Sequence, residues 1–140
     1  MGVYGPAHHE ASPAFLAEIS DKVATCRHPV LMGGDFNLLR CAQDKNNDRI
    51  NWSRVDLFNN NIAAWALIEV PRTGARYTWS NKQWDPVRCV LDRVLFAPEL
   101  DELFPRATLV AETSVGSDHT PLIFYAGDGK PVRSNRFFSS

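Results

Sequence analysis

Val30-Leu31-Met32-Gly33-Gly34-Asp35-Phe36-Asn37 decides how this chain is expected to fold. Three apolar residues form a short β-prone run, a glycine pair closes it, and an acid and an amide follow. In extended chain Asp35 and Asn37 are two apart, so both side chains point one way, about 7 Å apart along the backbone. A carboxylate there can hold a metal ion or take a proton from water, and a neutral amide can donate to a phosphate oxygen without adding negative charge. An ordinary Asp/Asn turn after Gly-Gly accounts for the same residues structurally. Both explanations stay open for this stretch alone.

Upstream, the pattern predicts a helix over residues 12–25. Ser12 can cap it, Pro13 suits the first helical position, and Phe15, Leu16, Ile19 and Val23 make one apolar stripe. Val3-Tyr4 reads as the end of a strand. Downstream, residues 40–51 are rich in Asp, Asn and Lys and read as a surface loop, with Asp44 to Asp48 as a solvated turn. A second helix fits residues 53–67, with Val55, Phe58, Ile62 and Trp65 on one side. Residues 77–80 are β-prone between turn residues. Residues 88–96 are apolar on both faces except at Asp92 and Arg93, which predicts a strand covered on both sides. A short helical turn over 98–104 and strands over 107–113 and 121–125 follow. The order gives an α/β fold with a mixed or antiparallel sheet, filling residues 1–126. Residues 127–140 read as a tail or linker.

Composition bounds the function. The 140 residues are 44% hydrophobic and 22% charged, enough for one domain with a real core. A net charge of −1 offers no bulk attraction to nucleic acid, so a polyanion would have to be met locally. Three cysteines without a Cys-x-x-Cys pair argue against a disulfide framework or a zinc site and favour a reduced, intracellular setting. The first residues lack the basic and apolar regions of a signal peptide, and no run is long enough for a membrane helix, so no membrane partner is expected.

Two further residues join Asp35 and Asn37. Asp92 lies in the middle of a buried strand, where a carboxylate is costly unless paired or used. Arg93 is not its partner, because adjacent strand residues point to opposite faces. His119, in Gly116-Ser117-Asp118-His119, can protonate a leaving oxygen or donate to a phosphate if a carboxylate fixes its tautomer. Asp118 and Asp92 are the two candidates for that carboxylate. Tyr4 could place a phenol near phosphate or pack a turn. Thr78, Trp79 and Asn81 could line a nucleic-acid cleft, since aromatics stack on bases, with Ser117 as a further substrate contact.

Together, Tyr4-Gly5-Pro6, Gly34-Asp35-Phe36-Asn37, Tyr77-Thr78-Trp79-Ser80, Leu91-Asp92-Arg93 and Gly116-Ser117-Asp118-His119 resemble the endonuclease/exonuclease/phosphatase superfamily of deoxyribonuclease-like and apurinic endonuclease-like enzymes. The details are similar to the endonuclease of plant LINE-type retrotransposons, where a reverse transcriptase domain would follow downstream. The resemblance implies a four-layer α/β/β/α sandwich and Mg2+-dependent (or Mn2+-dependent) hydrolysis of DNA phosphodiesters. It implies that Asp35 positions or deprotonates the water. It gives Asn37 and Tyr4 the scissile phosphate, and His119, oriented by Asp92, the developing charge. Asp118, Asp35 and Asn37 fall on the metal side. A nuclear location follows if genomic DNA is the substrate.

The superfamily's N-terminal half carries an Asn and a Glu that bind the metal, and neither lies upstream of Tyr4. The sequence is therefore expected to cover only the C-terminal part of such a domain. Weak or no activity and self-association through an exposed sheet are expected of it alone. The alternatives are a non-catalytic remnant or binding module, and a phosphoesterase of the same superfamily acting on phosphoinositide or RNA.

Overall fold

The structure, a computed structural model, describes residues 1–112, 118–127 and 131–132. Strand β1 (Gly2–Tyr4) leads through a 3-10 turn (His9–Ala11) into helix α1 (Ser12–Thr25), then β2 (Leu31–Asp35). Helix α2 (Trp52–Trp65) follows, then β3 (Ile68–Glu69), β4 (Arg72–Gly74), β5 (Trp79–Ser80), β6 (Arg88–Cys89) and β7 (Asp92–Phe96). Helix α3 (Pro98–Leu103), β8 (Thr108–Ala111), β9 (Leu122–Tyr125) and β10 (Pro131–Val132) complete the described elements. Thr113, expected as a strand end, lies outside the described residues. The segment read as a tail contributes Pro131–Val132, which pairs with Tyr125 and Phe124 of β9.

Two four-stranded mixed sheets result, in the orders β1-β2-β7-β3 and β10-β9-β8-β4, beside the two-stranded ribbon β5-β6. Period-two alternation on β7 explains how they stack. Leu95 joins Met32, Leu16, Ile19, Phe58, Ile62 and Trp65 in a core between the first sheet and the helices. Val94 and Phe96 join Val70, Leu109, Leu122 and Phe124 in a second core between the two sheets. Helices, first sheet and second sheet therefore form successive layers. Burying each large apolar side chain contributes roughly 1.5–3 kcal/mol. Val110, Ile123 and Tyr125 face outward from the second sheet and are partly covered. No described helix is long and apolar enough to cross a membrane.

The helical stripes fall where the 3.6-residue period places them. Leu16 and Ile19 are buried with Phe15 and Val23 packed beside them, and Val55, Phe58, Ile62 and Trp65 are all buried. The caps differ. Ser12 does not cap α1, because the 3-10 turn carries the helical path in from Ala11, and the buried Ser12 hydroxyl has no hydrogen-bond partner. The second helix is capped by Asn51, whose side chain accepts from the Arg54 amide at 3.3 Å. It ends at Trp65, because Ala66 turns left-handed at φ 55°.

Two strand expectations are corrected. Gly33 and Gly34 do not close β2; they pair with Val94 and Arg93, and Asp35 is the strand's last residue. Gly34, at φ +151°, is required by close approach, since a Cβ there would sit 1.9 Å from the Val3 carbonyl oxygen. The single strand expected over 88–96 is two, β6 and β7, with a break at Val90-Leu91.

Residues 40–51 are not simply a surface loop. Asp44 is buried and forms an ion pair with the buried Arg93 at 2.6 Å, and Arg93 also reaches Glu69 at 3.1 Å. Arg40 extends the network to Glu69 at 2.8 Å and, through Nε, to Asn59 at 2.7 Å. Burial alone would raise the Asp44 carboxyl, but the Arg93 charge and the Arg40 amide outweigh it and hold it below the usual carboxylate range. This network fastens the 40–45 segment to β7, β3 and α2.

Candidate active site

Antiparallel register between β2 and β7 sets Asp35 directly opposite Asp92, and parallel register between β1 and β2 sets Tyr4 beside Asp35. Alternation places Asp35 on the face of Leu31, and Asp92 on the face of Val94 and Phe96, the side of the first sheet that meets the second. Both acids therefore lie at one end of the layer between the sheets, and both are buried, at 6% and 5% exposure.

His119 arrives just ahead of β9 and is fixed through its backbone. It forms an isolated antiparallel bridge with Trp79. The Ser80 amide donates to the Asp118 carbonyl at 3.0 Å and the Thr120 amide to the Thr78 carbonyl at 2.7 Å, one on each side of the bridge. The imidazole reaches both acids. Its Nδ1 is 2.8 Å from Asp92 Oδ2, and its Nε2 is 3.6 Å from Asp35 Oδ2. A ligand atom from each of Asp35, Asp92 and His119 lies within 4.8 Å of the others, so the group could hold a metal ion.

The electrostatics follow from two buried carboxylates sharing one imidazole. Burial, and then the Asp92 charge, push the Asp35 carboxyl up to about 6, against the pull of the Asn37 amide and His119. Its proton affinity is thus close to that of a general base working near neutral pH. The Asp92 hydrogen bond raises the His119 pKa, burial opposes it, and the charges of Asp92, Asp35 and Asp118 raise it further. The net increase keeps His119 a proton donor over more of the neutral range than an ordinary histidine.

Other expected site residues take different places. Asn37 is not in extended chain beside Asp35. It turns left-handed at φ 53°, its amide nitrogen donates to Asp35 Oδ1 at 2.8 Å, and its side-chain amide donates to the Gly5 carbonyl at 2.7 Å. The turn explanation is what the backbone shows: Asn37 fixes the junction of β1 and β2 and holds the Asp35 carboxylate. Asp118 is exposed and outside the three-residue group, acting on His119 through its charge. Asp92, expected only to orient His119, is itself a member of that group. Tyr4 is 64% exposed.

Thr78 is corrected from a cleft residue to a buried one, with its hydroxyl taken up by backbone amides. The Asn81 side chain is likewise committed, accepting from the Gln83 and Val87 amides at 3.2 and 3.1 Å to shape the loop between β5 and β6. Trp79 is half-buried and acts through its backbone bridge to His119. Ser117 lies outside the described residues. Trp84, in the same loop and not among the expected site residues, is 99% exposed. Its signal was a lone aromatic among the polar turn residues Asn81 to Pro86.

Neither any family model nor any curated protein matches the chain.

Proposed function

We propose that the Asp35–Asp92–His119 end of the sheet pair hydrolyses phosphodiesters of DNA with the help of a divalent cation, Mg2+ or Mn2+. The observation that carries this reading is the placement of the His119 imidazole, with Nδ1 at 2.8 Å from one buried carboxylate and Nε2 at 3.6 Å from another. Asp35, poised at about 6, takes the proton of the attacking water. Asp92 holds the ring orientation, and His119 donates to a phosphate oxygen as negative charge develops. Tyr4, in register with Asp35, and Asn37 complete the phosphate contacts of this proposal.

The donor set fits a divalent cation. The two carboxylates would hold Mg2+ or Mn2+ through oxygen, while the His119 ring keeps its protons for Asp92 and the phosphate. Two buried acids opposite one another also leave negative charge for a cation to offset. Such a cation would stabilise charge on the phosphate. The finer fold expectation, a four-layer α/β/β/α sandwich, belongs to the same proposal; the succession of helices, sheet and sheet supports it.

DNA is favoured as substrate by the ribbon that holds His119. Its loop presents Trp84 fully to solvent, and exposed Lys82 and Arg88 outnumber the exposed Asp85 there, a small local positive excess in a chain of net charge −1. Trp84→Ala is expected to weaken binding of a short DNA duplex or single strand by about 10-fold, the lower part of the ~1–3 kcal/mol range for one stacked base. The melting temperature should stay unchanged. Fluorescence anisotropy and a thermal melt read the two quantities.

Nicking of supercoiled plasmid tests the function. The expected result is slow nicking that needs Mg2+ or Mn2+, stops in EDTA, and rises with pH as Asp35 loses its proton. Faster turnover of a phosphoinositide or of poly(A) RNA would move the substrate within the same chemistry. Cleavage indifferent to EDTA would remove the cation from the proposal.

A further inference from the structure

The break between β6 and β7 strands two buried backbone amides, those of Leu91 and Asp92, away from the strand ladder. A buried amide without a partner costs roughly 1–3 kcal/mol, so something must replace the ladder there. The Thr78 hydroxyl does so. Its Oγ1 accepts from the Leu91 amide at 2.9 Å and from the Asp92 amide at 3.1 Å, while the Thr78 amide donates to the Cys89 carbonyl at 2.9 Å. On the other side of the same residue, the Thr78 carbonyl accepts from the Thr120 amide at 2.7 Å, next to His119. Thr78 is completely buried and touches no solvent-filled cleft.

One residue therefore grips both partners of the Asp92–His119 contact. Its side chain holds the backbone of Asp92, and its main chain holds the segment that carries His119. We propose that Thr78 is a positioning residue that sets the Asp92–His119 hydrogen bond at 2.8 Å by tying the start of β7 to the His119 segment. Two features of threonine suit the task. Its oxygen can accept from two amides at once, and its β-branched carbon allows few rotamers, so the oxygen is held in place. Valine has the same shape without the oxygen. Serine keeps the oxygen and loses the stiffness.

The purpose of this device rests on the phosphodiesterase reading, but its test does not, because the readout is the imidazole itself. Long-range proton–nitrogen NMR spectra of the full chain in EDTA report the His119 tautomer and the strongly hydrogen-bonded Nδ1 proton, assigned by comparison with His119→Gln. Thr78→Ser is expected to retain the downfield Nδ1 proton. Thr78→Val is expected to lose the proton resonance, with the far-ultraviolet circular dichroism of the native protein. Should Thr78→Val fail to fold, Thr78→Ala makes the same comparison without the extra methyl. An unchanged His119 spectrum in a folded Val or Ala variant would overturn the proposal. So would loss of the signature in Thr78→Ser, or failure of both hydroxyl-free variants to fold, which would assign Thr78 to the fold alone. In the plasmid assay, nicking that fails in every variant and in the native protein speaks against the phosphodiesterase reading, and leaves the NMR result standing.

Discussion

Asp35→Asn is expected to stabilise the protein while removing its chemistry. The native carboxyl is raised from 3.8 to about 6 because burial and the facing Asp92 penalise its ionised form. A carboxyl raised in the folded state favours folding only while protonated. Its contribution is complete below the unfolded value and is lost as pH rises through about 6. Above that pH the ionised Asp35 costs the fold on the order of 3 kcal/mol, the free-energy equivalent of holding the carboxyl at about 6 instead of 3.8. Asn keeps an oxygen to accept from the Asn37 amide, and it is never charged. Urea unfolding with EDTA present should show Asp35→Asn gaining up to that amount at pH 8 and almost nothing near pH 4. An unchanged or lower stability at pH 8 would mean that the two carboxylates are not in electrostatic conflict. A stability gain at the site of an activity loss is the signature of a functional residue held at the fold's expense.

Arg93→Ala is expected to have the largest cost to folding. The side chain is 2% exposed and serves Asp44, Glu69 and the Val90 carbonyl at 2.6, 3.1 and 3.1 Å. Its guanidinium lies 5.8 Å from the Phe58 ring, on the helical side of the sheet. Such a pair contributes little beyond what apolar packing would, but removing one member strands the other. Asp44 would remain as a buried, uncompensated charge, at a cost of about 3–5 kcal/mol. Denaturant midpoints at constant slope would measure it, and a loss under ~1 kcal/mol would place Asp44 in water instead. The double change Arg93→Met with Asp44→Ala should lose less than the two single changes added together, because the stranded charge leaves with its partner.

Legibility followed the range of the forces involved. The two long helices were readable because their apolar stripes repeat over four turns and are decided locally. Asp92 was conspicuous because a carboxylate inside an apolar run needs a reason, and its distance from Arg93 follows from strand alternation alone. The strands β3 and β4 went unread, since two or three residues cannot display a period and form only because β7 and β8 offer partners. The break at Val90-Leu91 was equally invisible, because it depends on the Thr78 hydroxyl, more than ten residues away. Asp44 looked like a solvated turn residue, since nothing near it in the chain announces Arg93, 49 positions later. At Asn37 two explanations competed, and a left-handed backbone made the turn explanation part of the site's geometry. The three residues that the fold brings together, Asp35, Asp92 and His119, could be named from type and order. Their distances could not, because register across β1, β2 and β7 is a property of the assembled sheet.

The central claim is that Asp35, with Asp92 and His119, performs metal-assisted phosphodiester hydrolysis. The most direct test is the rate of supercoiled-plasmid nicking at pH 7.5 in Mn2+ and in Mg2+, for the native protein and for Asp35→Asn at equal folded concentration. The account predicts slow nicking by the native protein that disappears in EDTA, and a fall of at least ~100-fold in Asp35→Asn, the scale of a lost general base, from a protein that unfolds at higher urea. Equal rates in the two proteins would contradict it.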